Sequence, residues 1–333
     1  MTAVPSSARR VLNDGTLCYL AAAASLGPHL TPVVYVFDSG AVWVTTSRSS
    51  VKARAWRRNR TAAGLVLAGD RAVSFRGSVR AYDAFDPATW AGAAAATPAL
   101  IGATTRFALR NARFFAGYAV DASRVPFAWS PPGRVFVRVS VEAGAVLDLS
   151  SGVPIEMWGG WDAVEPTTFR PAFRPAGRAR SLDLRVPAGV RRAVGPAGDG
   201  ALALAGRDGI AVLPSAWRRR GSEGGYEATL PIAFAELAGA PALVPAALVV
   251  DRLDAWRAAA MRGMMLRGDA ELFDPGRVSR GGRALRERTA PGRALARLRP
   301  ARVVWWEGWS GGSVRAGESV RPPADPRGAR GAG

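Results

Sequence analysis

The chain has 333 residues, 48% of them hydrophobic, and a formal net charge of +19, which suffices for two domains with real cores. Its longest apolar run, Leu17 to Ala24, is far below the roughly 20 residues a membrane helix needs. The opening MTAVPSSARR has no signal-peptide core, so a cytoplasmic protein is expected. One cysteine, Cys18, and one histidine, His29, exclude an internal disulfide and argue against a zinc site or a histidine triad.

In chain order, residues 6–14 read as a short amphipathic helix ending at Asn13-Asp14-Gly15. Thr16 to Ala24 reads as a strand, and a Gly27-Pro28 turn leads into a second, His29 to Phe37. Asp38-Ser39-Gly40 is a hairpin turn before a strand at Val42–Thr46. A helix from about Ser50, a strand at Ala62–Ala68 and another at Ala72–Tyr82 follow. Gly77, inside the last, predicts a bulge or a close backbone approach. Residues 84–120 turn helical and alanine-rich, and Arg134 to Val141 alternates cleanly as a closing sixth strand. Residues 148–198, rich in Pro, Gly and Arg, are expected to be a crossover with a hairpin at Arg180–Val186. Residues 315–333 are expected to be a disordered tail.

The second half echoes the first in order. GDGALALAGRDGIAVLP (198–214) parallels residues 13–32, and ALVPAALVV (242–250) parallels the Ala62 strand. RGMMLRGDAELFDP (262–275) parallels AVSFRGSVRAYDAFDP, including its Arg-Gly, and ARVVWWEGWSGG (301–312) is matched to RVFVRVSVEAG. Two related units are implied, at 1–147 and 199–314.

The most informative stretch is Ala41 to Asn59, AVWVTTSRSSVKARAWRRN. A strand delivers Thr45, Thr46, Ser47, Ser49 and Ser50 to the start of a helix with a serine N-cap. Hydroxyls and free helix-start N–H groups make an anion site, and Lys52 supplies a cation in the first turn. Lys52 is the only lysine among 45 Lys plus Arg. Its survival in an arginine-dominated chain points to a need for a compact ammonium, and hence to phosphate. The second copy has TLPIAFAEL (229–237) here, without cation or serine cluster.

This stretch resembles the phosphate-binding segment of the pyridoxamine 5′-phosphate oxidase-like, flavin-binding split-barrel superfamily, whose strand, T-x-x-x-S-x-K, helix and Asn are matched by Thr46, Ser50, Lys52 and Asn59. Arg60 replaces the usual proline, and Val51 stands where an arginine is common, leaving Arg48 or Arg54 to supply a second cation. The resemblance implies a β-dominated α+β protein: two fused six-stranded Greek-key split barrels with short helices, paired as an internal pseudo-dimer. It implies FMN, with the deazaflavin F420 as alternative, held by Thr45, Thr46, Ser47, Arg48, Ser50, Lys52 and Arg54. Thr31, Pro32 and Val33 would run under the ring, and hydride would pass to or from a small organic substrate.

No residue pattern names an acid, a base or a nucleophile, which fits chemistry carried by the cofactor. His29 stays open between a plain strand residue and a ligand-facing one. Trp158 and Trp161, in MWGGWD, suggest a lid, whereas Trp305 and Trp306 suggest core. Two other readings are a non-catalytic flavin or haem carrier and a nucleic-acid-binding protein. Against the latter, the arginines are scattered over nearly every segment, and no specific nucleic-acid or membrane partner is expected.

Overall fold

The computed structural model describes residues 3–25, 27–121, 123, 133–160, 182, 185–220, 225–253, 257–273 and 292–316. The first half runs α1 (Ser6–Asp14), β1 (Leu17–Ala24), β2 (Gly27–Asp38), β3 (Ala41–Ser47), α2 (Val51–Arg58), β4 (Thr61–Ala68) and β5 (Arg71–Tyr82). Then come α3 (Trp90–Ala95), α4 (Thr97–Arg110), α5 (Ala112–Val120), β6 (Arg134–Asp148) and β7 (Val153–Trp158). Its antiparallel sheet has the order β3-β2-β1-β4-β5-β6-β7, and β3 also pairs with β6. Six strands therefore close into a barrel, with β7 hairpinned outside. The second half repeats this with α6 (Ala188–Val194), β8 (Ala197–Gly206), β9 (Gly209–Arg219), β10 (Tyr226–Pro231) and α7 (Ile232–Leu237). It continues with β11 (Leu243–Arg252), β12 (Arg262–Phe273), β13 (Arg293–Glu307) and β14 (Ser310–Arg315), in the order β10-β9-β8-β11-β12-β13-β14, closed by β10 on β13.

Local chemistry explains these elements. The β2–β3 hairpin turns through Ser39 and Gly40, both at positive φ, as a two-residue hairpin of the mirror-image type requires. In β6, Val135, Val137, Val139 and Val141 point inward and are buried, while Arg134, Arg138 and Ser140 alternate outward. Each such valine contributes about 1.5–3 kcal/mol by burial. Gly77 is indeed at a bulge: the β5–β6 register slips between Arg76 and Gly77, and a Cβ there would lie 1.7 Å from the Ser140 carbonyl oxygen. The second barrel repeats the device at Arg267/Gly268, where a Cβ would meet the Arg299 carbonyl at 2.1 Å.

The barrels share one core. Ala21, Leu30, Leu65, Ala72 and Leu147 of the first barrel belong to the same buried cluster as Leu202, Val212, Leu248 and Met265 of the second. The polar contacts across this interface are related by a pseudo-twofold. Arg76 donates from Nε to the Ile210 carbonyl (2.8 Å) and from Nη1 to that of Asp208 (2.8 Å). Arg267 donates from Nε to the Pro28 carbonyl (2.9 Å) and from Nη2 to that of Gly27 (3.0 Å). Each bulge arginine thus grips the start of the other barrel's second strand. Ser74 Oγ to the Val212 carbonyl (2.7 Å) and Tyr19 OH to Asp251 Oδ1 (3.1 Å) add to the seam.

Three expectations shift. The stretch at 148–198 contains elements of both barrels: β7 pairs with β6, and α6 precedes β8. The closing-strand echo was placed eight residues out of phase: pairing puts Arg293 opposite Pro231 as Arg134 lies opposite Ser47, so 301–307 matches 142–148. An alternating strand of 15 residues carries no phase marker in its pattern. Trp158 is no lid, because it packs in the first barrel's core with its ring over Gly144. Trp161, most of the suggested 180–186 hairpin and the tail from 317 lie outside the described residues. Trp305 and Trp306 are partly buried against the shared core.

Candidate phosphate site at the start of α2

α2 begins as expected. Ser50 is its N-cap, accepting from the Ala53 N–H at 3.0 Å, and by helix geometry the N–H groups of Val51 and Lys52 have no intrahelical acceptor. Thr46 Oγ1 and Ser50 Oγ lie 3.0 Å apart, as do Ser47 Oγ and Ser49 Oγ at 3.1 Å. The end of β3 and the helix start thus bring four hydroxyls together. Lys52 is on the buried face of α2 with Ala53, Ala55 and Trp56, and is only 4% exposed. Its Nζ donates to Thr31 Oγ1 at 2.5 Å, which joins α2 to the middle of β2.

Burial makes this ammonium unusual. Its pKa falls to about 7, first through desolvation, with the charge of Arg134 adding to the depression. The neighbouring Cys18 thiol, itself pushed up to about 12 by burial, carries no charge at neutral pH to offset this. An ammonium buried without a counter-ion is stabilised by an incoming anion. A phosphate monoester fits the arrangement: one cation with spare N–H bonds, hydroxyls and helix-start amides.

The remaining expected site residues are divided. Thr31 is bound to Lys52, and Pro32 and Val33 follow it on β2, half-buried. Arg48 pairs through its guanidinium with Asp83 at 2.7 Å and lies over the Phe85 ring. Arg54 donates to the Ser49 carbonyl at 2.8 Å and stays beside the loop. Thr45 is held by Arg134, whose Nε and Nη2 reach its hydroxyl at 3.0 and 2.8 Å and whose Nη2 reaches its carbonyl at 2.8 Å. Arg134 escaped the sequence reading because it lies 89 residues from Thr45; only the β3–β6 closure brings it here. Its charge acts on Lys52, and burial lowers its own pKa.

The second barrel lacks this cradle. β10 ends at Pro231 and α7 starts at Ile232, with no intervening loop. By register Thr229 takes the place of Thr45 and Leu230 that of Thr46. Gly152, in the β6–β7 turn, lies where a Cβ would be 3.0 Å from the Pro231 ring. Among the described residues no group of three His, Cys, Asp or Glu side chains could hold a metal ion, and no helix is long and apolar enough to cross a membrane.

Residues 5–106 match the family model described as pyridoxamine 5′-phosphate oxidase. No curated protein matches the chain. Solved structures that resemble it include a conserved hypothetical protein from Mycobacterium tuberculosis, at 25% identity and TM-score 0.32, covering 47% of this chain and 94% of that one. Another is a pyridoxamine 5′-phosphate oxidase-related, FMN binding protein from Nostoc punctiforme, at 17% identity and TM-score 0.30, covering 43% and 79%. A third is an F420 reductase, at 16% identity and TM-score 0.28, covering 47% and 100%. The family match thus runs over the first barrel from α1 to α4, and the second half repeats that barrel's strand order, so the fold is two fused split barrels.

Proposed function

We propose that the first barrel binds one phosphorylated flavin-type cofactor, FMN or the deazaflavin F420, and uses it to transfer hydride to or from a small organic substrate. The observation that carries this reading is the chain's single lysine, buried without a carboxylate partner at a hydroxyl-lined helix start inside the family-matched segment. Lys52, Ser50, Thr46, Ser47 and the first amides of α2 would hold the phosphate, and Thr31 to Val33 would border the ring. Bound there, the cofactor supplies the hydride chemistry, and the protein supplies position, charge and exclusion of water. The missing loop of the second barrel supports one site per chain.

Absorbance and fluorescence titration with FMN and, separately, F420 tests this, beside Lys52→Ala. Saturable binding of one equivalent, weakened at least about tenfold in the variant (~1.4 kcal/mol), is expected. If neither cofactor binds the unaltered protein, the reading is wrong. A non-catalytic flavin carrier is the second reading, favoured by the commitment of Asp83, the carboxylate that meets the loop through Arg48, to Arg48 and Arg57. Bound flavin that no donor reduces would support it.

A further inference from the structure

His29 plays no part in the phosphate cradle, yet its setting is that of a binding residue. It is the chain's only histidine, lies on β2 two residues before Thr31, and is 8% exposed. Side chains two apart on a strand share a face, so His29 and Thr31 point to the side on which Lys52 donates to Thr31. The His29 Nδ1 atom is buried and has no hydrogen-bond partner. Nearly all polar atoms inside native proteins are paired, and leaving one unpaired costs about 1–3 kcal/mol. Burial, with the charges of Arg267, Lys52, Arg302 and Arg54, drives the imidazole pKa well below its ordinary value. Those cations come from both barrels: α2 supplies Lys52 and Arg54, β12 supplies Arg267 and β13 supplies Arg302. The ring is thus a neutral dipole where the two barrels meet, and among the described residues the charges that shift it are cations.

We propose that His29 is a ligand-contacting residue whose Nδ1 bonds the uncharged polar edge of a planar heterocycle, while the anionic end of the same molecule lies in the Lys52 cradle. Charge dictates this division. An anion gains most from Lys52 and the helix start, whereas a neutral imidazole pairs with an N–H or C=O edge without adding a charge to the interior. Because Arg267 of the second barrel holds the Gly27 and Pro28 carbonyls next to His29, the heterocycle would lie at the seam, touching both barrels. The inference rests on the flavin reading and goes beyond it by assigning the ring-reading contact to a side chain.

The test uses the full chain labelled with [15N]histidine, which gives a single imidazole signal pair, and two ligand pairs: FMN with riboflavin, and F420 with its phosphate-free chromophore. With the cofactor that binds, the Nδ1 resonance is expected to shift on adding either the phosphorylated or the phosphate-free member. His29→Leu and the more conservative His29→Gln should weaken both members by the same factor, about tenfold for Leu and less for Gln, while Lys52→Ala should weaken only the phosphorylated one. A ring resonance unmoved at saturation, or equal affinity in His29→Leu and the parent, overturns the inference and leaves the cofactor reading intact. Failure of every ligand to bind the parent overturns both. A histidine with a purely structural role would lower the melting temperature of the variants without moving the ring signal.

Discussion

The depressed pKa of Lys52 makes a quantitative prediction about anion binding. In the free protein the amine has a pKa of about 7 because it is buried and faces Arg134 rather than a carboxylate. A dianionic phosphate placed against it favours the ammonium and raises that pKa by about 2 units or more. The phosphate's own second pKa is about 6, so above neutrality the ligand stays dianionic. About half of the free amines are charged near pH 7 and about one in a hundred near pH 9, so with a bound-state pKa of about 9 affinity should fall about 25-fold across that interval, ~1.9 kcal/mol. The assay is the dissociation constant of FMN by flavin fluorescence at closely spaced pH values and constant ionic strength. Calorimetry near pH 7 in two buffers of different ionisation enthalpy should also show uptake of about half a proton per ligand. Lys52→Met should bind weakly and with no pH dependence in this range. A dissociation constant for the unaltered protein that is flat up to about pH 9 would refute the reasoning, since it would mean that the bound and free proteins hold the proton equally well.

Stability in the absence of ligand tests other parts of the structure. Because Lys52 is lowered in the folded state, the unfolded chain binds more protons between about pH 7 and 10.5, and folding stability should rise with pH over that window, an increment that Lys52→Met removes. Asp251, partly buried at the seam and pushed up to about 7 by desolvation, acts in the opposite sense. The folded state there holds the extra proton, so stability should fall as pH rises from about 4 to 7, and Asp251→Asn should flatten that limb in denaturant melts. Gly77→Ala drives a methyl group into the Ser140 carbonyl and should lower stability by about 3 kcal/mol or more by urea unfolding; a neutral result would mean that the bulge can relax. Arg267→Met removes both donors to the Gly27 and Pro28 carbonyls, with an expected loss of about 2–4 kcal/mol. Ser50→Ala should cost about 1 kcal/mol through the lost cap of α2, and should weaken FMN binding besides.

The parts of this structure legible in the sequence are those written in local chemistry. The Ser39-Gly40 hairpin, the Ser50 cap, the Gly77 bulge and the alternation of β6 each depend on a few adjacent residues, and each lies where the pattern puts it. The order of the repeat was readable for the same reason, because the Arg-Gly bulge recurs at Arg76-Gly77 and Arg267-Gly268. What escaped was set by closure and by pairing between halves. Arg134 reaches Thr45 only because β6 returns to β3. The pairing of Arg48 with Asp83, beyond β5, is not written in the loop's own pattern. The phase of β13 against β6 was lost because one alternating strand looks like another two residues along. β7 was hidden in a Pro- and Gly-rich stretch, with Val153, Ile155 and Met157 exposed on one side and hydrogen bonds to β6 on its edge.

The seam between the barrels has a consequence for dilution. Two separate barrels holding each other through apolar contacts and two reciprocal arginine grips would part as concentration fell, and any site at their junction would part with them. Here the halves are tethered, so each meets the other at a local concentration set by the connecting chain rather than by expression level. The junction beside Lys52 and His29 therefore persists at any abundance. The tether also frees the two halves from identity: an alteration to one strand no longer appears twice, so one half can discard its phosphate loop while the other keeps it.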